Sequence, residues 1–427
     1  MKISHDEVLN IIENTRRFGQ YTGYEVSKHM FDKIGHPEQG MPFVHVAGTN
    51  GKGSTTAFLC QMLIRAGFRV GMFTSPHLVE FEERIRINDE LISKEDVTRL
   101  GNYLLETEFE LSPTMFDYCL AMAVLYFKEQ HCDIVVMETG IGGMYDSTNA
   151  LGIPKVAVIT KIGYDHTAVL GETLTAIAEQ KAGIIKKGHP VVTQRQEEEV
   201  LVVLKEAYQK ENGNLAKFNV VSKEDIDALD RAKMRMLGAY QKENAAAAIL
   251  AFKNLLQTWE IEKERIAKIN MDVCITGALE NTMWRGRMEL LQEEPFFMID
   301  GAHNGHGVHA LAEGLKRLYP NKKFHFIMGV MADKDYETMI EELLPIAIDF
   351  TTVTPESSRA LQAKELSSCI EKRGIPATSS QNMESLILSF LQTDEKKEVK
   401  SGKTIAFGSL YFIGEIISLW NTKTGRS

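Results

Sequence analysis

The stretch V44-H-V-A-G-T-N-G-K-G-S-T-T56 decides how the chain begins to fold. Apolar residues alternate before Gly48, and a helical pattern, A57-F-L-C-Q-M-L-I-R65, follows Thr56, so the segment is predicted to be a strand, a glycine-rich loop and a helix. Glycines let a backbone curl until successive N–H groups point at one anion. A glycine-rich turn without a ligand needs neither Lys52 nor the hydroxyls, so the stretch predicts a phosphate site.

This loop is a variant of the P-loop, whose pattern is G-x-x-x-x-G-K-[ST]. The stretch G48-T-N-G-K52 is shorter, and Gly53 is inserted before Ser54. Lys52 still supplies a compact cation for β- and γ-phosphates, and a hydroxyl of Ser54 or Thr55 can reach Mg²⁺. The residues predicted to bind a nucleoside triphosphate here are Thr49, Asn50, Gly51, Lys52, Gly53, Ser54 and Thr55.

The bulk properties exclude some classes of function. The chain has 427 residues, too many for one hydrophobic core, and a formal net charge of −10. This charge disfavours functions that depend on binding nucleic acid or an anionic membrane. The five cysteines show no C-x-x-C spacing, the first residues resemble no signal or transit peptide, and no uncharged apolar run could span a membrane. We therefore expect a cytoplasmic protein with reduced thiols.

Apolar runs rich in β-branched residues alternate with helical patterns, and the alternation restarts near residue 296. This rhythm is typical of βαβ units around a mainly parallel sheet. The predicted strands lie within 43–48, 69–75, 133–139, 155–163 and 189–194, and then within 296–304, 323–330, 348–355, 375–380 and 404–409.

The polar segment QEEP, residues 292–295, is the best candidate for a linker. A helical, charged stretch at about 197–280 precedes it and is assigned to the first domain. We predict an α/β protein with a P-loop-type parallel-sheet ATPase domain, residues 1–294, followed by a smaller α/β domain, residues 295–427. The charged segment 393–400 is expected to be a solvated loop.

Polar residues follow several predicted strands of the first series. Glu138 and Ser75 end two apolar runs, and Asp165 and His166 follow a third. Carboxyl ends of parallel strands line the ligand crevice of such sheets, and Mg²⁺ prefers oxygen ligands, so Glu138 is the predicted metal carboxylate. Lys181 lies beside apolar residues on a helix, where desolvation would lower its pKa and make the amine available for carbamylation.

Seven motifs, in order along nearly the whole chain, resemble those of the Mur ligase superfamily and, within it, the folylpolyglutamate synthase and dihydrofolate synthase family. They are H45-V-A-G-T-N-G-K-G-S54, F73-T-S-P-H-L78, E138-T-G-I-G-G-M-Y-D-S-T-N149, G163-Y-D-H-T167, E179-Q-K-A-G183, D300-G-A-H-N304 and F407-G-S-L-Y411. The resemblance implies an ATP-binding N-terminal domain and a Rossmann-like, glutamate-binding C-terminal domain, with catalysis in the cleft between them.

The resemblance also implies roles for individual residues. Ser75, Glu138 and His166 would hold Mg²⁺ together with Ser54 and a carbamylated Lys181, since a carbamate turns a cation into an anionic oxygen ligand. Asn244, Arg287 and Asp300 would contact ATP, and His303, Ser409 and Tyr411 would lie toward glutamate and the acyl phosphate. The predicted catalytic residues are Lys52, His166, Lys181 and His303.

Folate recognition would rest on Tyr145, Asp146, Ser147 and Phe116, whose ring either stacks on a pterin or belongs to the core. Two positions depart from the family: Met144 stands where arginine is common, and Gly305 where proline is usual. The series His303, His306 and His309 could suggest a metal triad, but it crosses from a loop into a helix and drifts round the helix.

The implied reaction is ATP-dependent addition of glutamate to the γ-carboxylate of a folate through an acyl phosphate. Small molecules (folate, L-glutamate and ATP) are the expected partners, with Mg²⁺ as cofactor, a monovalent cation as a further candidate, and a monomer as the expected state. Three alternatives stay open: a dihydrofolate synthase that uses dihydropteroate, a peptidoglycan-type Mur ligase, and a nucleotide-binding regulatory protein without ligase activity.

Overall fold

The computed structural model describes residues 2–15, 23–213, 216–391 and 402–425. The charged segment 393–400 lies outside these ranges, and its expected loop conformation stays a prediction. The chain forms two compact units, one within residues 1–235 and 242–282 and the other within 236–241 and 283–427.

Strands of the first unit form a mainly parallel sheet, with eight strands among the described residues. They are β1 (Phe43–Ala47), β2 (Val70–Phe73), β3 (Ile85–Ile87), β4 (Glu90–Leu91), β5 (Ile134–Glu138), β6 (Val156–Ile159), β7 (Val191–Thr193) and β8 (Phe218–Val220). Their order is β4-β3-β2-β5-β1-β6-β7-β8, and only the pairings of β3 are antiparallel. Every residue of β1 and β5 is buried, as expected for central strands with both faces covered.

The helices of this unit alternate with the strands along much of the chain. They are α1 (His5–Asn14), α2 (Glu25–Lys33), α3 (Lys52–Arg65), α4 (Lys94–Glu106), α5 (Met115–Glu129), α6 (Thr167–Leu170), α7 (Leu174–Ala182), α8 (Glu198–Asn212), α9 (Lys223–Asp227), α10 (Ala239–Thr258), α11 (Lys263–Ile266) and α12 (Met271–Asn281). Short 3-10 helices lie at Phe81–Arg84, Ser147–Leu151 and Glu260–Glu262. Helix α10 begins in residues of the second unit and continues into the first.

Helix α5 shows how local sequence and core packing act together. Thr114 and Asp117 form a capping box, which satisfies N–H groups at the start of the helix. Leu120, Val124 and Phe127 are fully buried in the same apolar cluster as strand β5. Burial of each such side chain contributes about 1.5–3 kcal/mol, so this helix is firmly fixed on the sheet.

The second unit has a smaller, mainly parallel sheet, in which six strands are described. They are β9 (Glu289–Gln292), β10 (Phe297–Ile299), β11 (Phe324–Met328), β12 (Ala347–Thr352), β13 (Ala377–Ser379) and β14 (Lys403–Phe407), in the order β13-β12-β11-β14-β10-β9. The helices are α13 (Gly305–Leu318), α14 (Tyr336–Leu343), α15 (Ala363–Glu371), α16 (Met383–Leu391) and α17 (Leu410–Thr424), with a 3-10 helix at Leu344–Ile346. Only β9 pairs antiparallel within this ordered set.

The predicted fold class is confirmed, and every segment predicted as a strand contains one. The sequence patterns missed β3, β4, β8 and β9, which are short and lie at or next to sheet edges. The second unit takes in Met236–Gln241 and resumes at Met283, so the expected linker at 292–295 spans the end of β9 and the connection to β10 within one sheet. The functional boundary at residue 294 stays a prediction. None of the helices in the described ranges is long and apolar enough to cross a membrane.

Candidate active site

The glycine-rich loop follows β1 at the point where the sheet topology reverses. The chain leaves β1 for β2 on one side, and β6 lies on the other, so ligands are expected at the carboxyl end of β1. Gly48 and Gly51 have φ angles of +151° and +87°. A Cβ at Gly48 would collide with the Thr160 hydroxyl and one at Gly51 with the Asn244 carboxamide, so both positions require glycine for room as well as conformation.

Backbone bonds fix this loop to the end of β6. The N–H groups of Thr49 and Asn50 donate to the carbonyl of Lys161 at 3.0 and 3.2 Å. The Thr49 hydroxyl donates to the carbonyl of Gly163 at 2.9 Å. These two amides are therefore occupied, and the N–H groups at the start of α3, after Gly51, are the ones that face a phosphate in such a loop.

Two glutamines that the sequence reading missed complete this support. Gln194 accepts from the Lys161 N–H at 2.7 Å and donates to the Asn244 side chain at 2.8 Å. Gln196 accepts from Ile162 N–H at 3.0 Å. Asn244, predicted to contact ATP, is buried next to Gly51, so it also holds the loop in place.

Lys52, Glu138 and Ser75 come together at the carboxyl ends of neighbouring strands. The Lys52 ammonium lies 3.8 Å from a Glu138 carboxylate oxygen and donates to the Gly48 carbonyl at 3.2 Å. The Ser75 N–H donates to the other Glu138 oxygen at 3.3 Å. Only 4% of Glu138 is exposed, so a buried carboxylate faces the loop cation.

Lys181 reaches the same loop from helix α7. Its ammonium nitrogen donates to the Gly48 carbonyl at 2.8 Å, so two lysine side chains converge on one oxygen. Burial, and then the charge of Lys52, lower the pKa of Lys181 to about 7, against a weaker opposing effect of Asp165. A lysine with this pKa is half neutral near pH 7, when its amine can act as a nucleophile.

His166 and Asp165 follow β6 but differ in exposure. The Asp165 side chain is nearly buried, whereas 44% of the His166 side chain is exposed, and its Nε2 lies 3.9 Å from an Asp165 oxygen. His166 has a φ of +50° and precedes the four-residue helix α6. The sequence analysis assigned a metal-binding role to His166. In the structure, the negative charge of Asp165 is close enough to Lys181 to raise the pKa of that lysine, against the effect of burial.

The oxygen donors at the carboxyl ends of these strands suit a cation most of whose ligands are water molecules and substrate oxygens. No cluster of three or more histidine, cysteine or acidic side chains with metal-binding geometry occurs within the described ranges, and this includes the series His303, His306 and His309. Ser54 is buried, and the Thr55 hydroxyl is buried with no hydrogen-bond partner among the described residues. Oxygen donors around a single carboxylate fit Mg²⁺, which binds proteins through one or two carboxylates and substrate phosphates.

The loop after Glu138 carries the segment predicted to bind the acceptor substrate. The Phe116 ring packs on Phe73 at 5.6 Å and lies against Gly140, where a Cβ would come within 2.9 Å of it. Tyr145 is 56% exposed. The Met144 N–H donates to the Gln180 carbonyl at 2.6 Å, which fixes the loop next to helix α7.

Asp146 organises this loop from within. Its carboxylate accepts from the Ile141 N–H at 2.9 Å, the Thr148 N–H at 3.0 Å and the Thr148 hydroxyl, and burial raises its pKa. Asn149 donates to the carbonyls of Gly143 and Met144 at 3.1 and 3.0 Å. The Asp146 carboxylate, predicted to contact substrate, is thus surrounded by donors of its own loop.

In the second unit, Asp300 ends β10 and is buried. Its carboxylate accepts from the N–H groups of Met288 and Ala302, both at 2.8 Å, and from the Tyr240 hydroxyl at 3.2 Å. Burial raises the pKa of Asp300, and Arg287 opposes this rise. Arg287 lies next to Gly301, where a Cβ would be 3.0 Å from its guanidinium.

His303 and Ser409 lie on two loops that follow the adjacent strands β10 and β14, and Tyr411 lies in the first turn of helix α17. The Gly408 N–H donates to the Ala302 carbonyl at 3.0 Å, which joins the loops. His303 Nδ1 is 2.8 Å from the Gly301 carbonyl, Ser409 caps helix α17, and Tyr411 is 44% exposed. A Cβ at Gly305 would lie 3.0 Å from a Thr338 methyl, which leaves little room for the proline usual in the family.

His77, two residues after Ser75, is a polar group that the sequence reading did not single out. Arg84 Nε donates to its Nδ1 at 2.9 Å, so the ring proton must sit on Nε2 while the ring is neutral. Burial, and then the charge of Arg84, lower the pKa of His77 to about 4. The glutamate of the same turn, Glu83, accepts N–H groups of Leu78 and Val79 at 2.8 and 2.9 Å. The loop bearing Ser75 is therefore held by its own charged residues.

Comparisons with known proteins agree with this architecture. Residues 46–252 match the Mur ligase middle domain, and residues 286–399 match the Mur ligase glutamate ligase domain. A dihydrofolate synthase/folylpolyglutamate synthase from Bacillus subtilis is 36% identical over 97% of this chain and 99% of its own. The folylpolyglutamate synthase from Thermotoga maritima has a similar structure, with 28% identity, a TM-score of 0.78 and coverage of 98% and 97%.

Escherichia coli FolC, solved in complex with DHPP and ADP, is 24% identical, with a TM-score of 0.83 and coverage of 99% of both chains, and at this identity the likeness concerns the fold. The two matched domains and the placement of the glycine loop define a Mur ligase. Within that class, the chain belongs to the folylpolyglutamate synthase/dihydrofolate synthase family.

Proposed function

We propose that this chain is an ATP-dependent ligase that joins the amino group of L-glutamate to the γ-carboxylate of a folate. Membership of the family supports the reaction class. One arrangement in the molecule carries the proposal. Beyond the end of strand β1, Lys52 and Lys181 both donate to the Gly48 carbonyl, and the Glu138 carboxylate lies beside Lys52. Such a site suits a substrate with several negative charges and a metal ion.

The chemistry explains why the site needs cations. A carboxylate reacts poorly with amines, so the γ-phosphoryl group of ATP is transferred to it, giving ADP and an acyl phosphate. The neutral amine of glutamate then attacks the acyl carbon, and orthophosphate leaves. Lys52 and the first N–H groups of α3 stabilise charge on the transferring phosphoryl group, while His303, half-buried beside Gly301, is assigned to the tetrahedral intermediate.

Mg²⁺ is assigned to Glu138 and Ser75, with His166, Ser54 and a carbamylated Lys181 as further ligands. Support comes from the buried carboxylate of Glu138 and its contact with Ser75, because Mg²⁺ prefers such oxygen donors. When bound, Mg²⁺ offsets charge on the β- and γ-phosphates. A monovalent cation stays a candidate cofactor to which no ligands are assigned.

The remaining contacts follow from the predicted roles. Phe116, Tyr145, Asp146 and Ser147 are assigned to the acceptor substrate, and Ser409 and Tyr411 to glutamate. Asn244, Arg287 and Asp300 are assigned to ATP, together with residues 49–55 of the loop. Asp146 and Asp300 also accept hydrogen bonds from neighbouring backbone N–H groups, which hold both carboxylates in place.

Dihydropteroate is the second candidate acceptor. The Bacillus subtilis relative carries both activities in its name, dihydrofolate synthase and folylpolyglutamate synthase. Both acceptors present a carboxylate for phosphorylation, so one site can serve both. We further propose that the enzyme acts as a monomer in the cytoplasm.

ADP release tests the proposed reaction against a nucleotide-dependent regulatory role. Purified protein is given MgATP alone, then MgATP with acceptor, then MgATP with acceptor and glutamate. We expect sustained ADP release only in the complete mixture, because the acyl phosphate is consumed by the glutamate amine. Equal ADP release in all three mixtures would contradict a ligase function.

A further inference from the structure

Asp117, the residue after Phe116 in helix α5, is bound to more groups than a helix cap requires. One carboxylate oxygen accepts from the N–H and hydroxyl of Thr114 at 2.9 and 2.6 Å, which forms the cap. The other oxygen accepts from the hydroxyls of Ser147 at 2.7 Å and Ser27. Only 3% of Asp117 is exposed. A buried carboxylate with four donors makes strong, well-aligned hydrogen bonds that fix its partners.

Helix α5 holds the loop after Glu138 at two points through adjacent residues. Near the start of the loop, the Phe116 ring lies against Gly140. At its end, the Ser147 hydroxyl is bound to Asp117. Tyr145, exposed to solvent, lies between these two attachments. Residues 140–147 of this loop form the acceptor segment. Helix α5 contacts the segment through the Phe116 ring and binds it by a hydrogen bond through Asp117.

We propose that Asp117 is a positioning residue for the acceptor substrate, acting through Ser147 to fix the acceptor segment relative to the Phe116 ring. This inference rests on the proposed function, since it concerns the acceptor of that same reaction. Asp117 touches no substrate in this account. Its loss should weaken acceptor binding and leave ATP binding unchanged, because the glycine loop is supported by other residues.

The chain offers a matched control for the capping role alone. Ser222 and Asp225 form the same capping box at helix α9: the Ser222 N–H and hydroxyl donate to Asp225, both at 2.8 Å, and the Asp225 N–H donates back at 3.1 Å. No bond of Asp225 to the acceptor segment is found within the described residues. Asp225→Asn therefore reports the effect of disturbing a cap without disturbing that segment.

The experiment measures kcat and KM for acceptor and for ATP in Ser147→Ala, Asp117→Asn, the double variant and Asp225→Asn. Loss of one hydrogen bond to a charged group is expected to raise the acceptor KM about tenfold or more. The ATP KM should change less than about twofold. The acceptor KM of the double variant should resemble that of the single variant with the larger effect. Asp225→Asn should match the wild type.

An unchanged acceptor KM in both single variants would overturn the inference. So would a double variant whose effect is the product of the two, since Ser147 would then act on substrate independently of Asp117. Amide hydrogen exchange gives a second readout that needs no activity: Asp117→Asn should speed exchange at Ile141 and Thr148, and Asp225→Asn should not. If wild-type protein fails to ligate, the proposed function fails, while unchanged exchange in Asp117→Asn separately refutes the positioning role.

Discussion

Removal of carbon dioxide should inactivate the enzyme through Lys181. An ordinary lysine with a pKa near 10.4 has about 0.4% neutral amine at pH 8. With the pKa lowered to about 7, mainly by burial, about 90% of the Lys181 amine is neutral at that pH. The reactive fraction is thus more than 200-fold larger, by this order-of-magnitude comparison. Lys181 is therefore the lysine whose carbamylation we expect.

In the carbamylation reaction, the neutral amine attacks carbon dioxide, forms an N–C bond and releases one proton. The assay is ¹³C NMR of the protein in labelled bicarbonate, combined with ligation rates in carbon-dioxide-free and bicarbonate-containing buffer. We expect one carbamate signal per chain, absent in Lys181→Arg. Because the protonated amine cannot react, the signal and the ligation rate should both fall as pH drops through about 7.

Full activity without carbon dioxide, together with no carbamate signal, would refute this reasoning. Lys181 would then act as the amine seen in the structure, which donates to the Gly48 carbonyl and supports the glycine loop. A signal that persists in Lys181→Arg would assign the modification to another amine.

Glu138→Gln removes the buried anion that faces Lys52, so the ligation rate should fall at least about 100-fold with an unchanged urea midpoint; near-normal ligation would count against the site. Gln194→Leu leaves a backbone N–H without its acceptor, which should lower the free energy of unfolding by about 1–3 kcal/mol in urea titrations and raise the KM for ATP; wild-type stability would contradict this. Arg84→Met removes both the donor to His77 and a nearby cation, so the pKa of His77 should rise from about 4 in an NMR titration, and an unmoved midpoint would show that Arg84 has no such role.

Short-range patterns predicted the elements that depend on neighbouring residues. The glycine loop could be recognised because Gly48, Gly51 and Lys52 lie close together in the sequence, so their spacing reflects the local conformation of the backbone. Glu138 was predicted at a strand end because parallel strands of one sheet end at a common edge. The meeting of Lys52 and Glu138 therefore followed from sheet topology without any knowledge of side-chain packing.

Contacts between distant segments could not be predicted in this way. Gln194 supports the glycine loop from 33 residues beyond Lys161, and Asp117 binds Ser147 across 30 residues, with no pattern that links the partners. A buried aspartate that binds its own loop has the same sequence signature as one that binds a ligand. Asp146 was assigned to substrate because its segment resembles that of the family, and only the three-dimensional contacts reveal the donors around it.

Mass spectrometry of the reaction products is the decisive test of ATP-dependent glutamylation by this chain. Purified protein is incubated with MgATP and L-glutamate, together with either a reduced folate or dihydropteroate. We expect at least one acceptor to gain the mass of a glutamyl residue, with one ADP formed for each residue added, and no such product from Lys52→Ala. Hydrolysis of ATP without any glutamylated product from either acceptor would contradict this expectation.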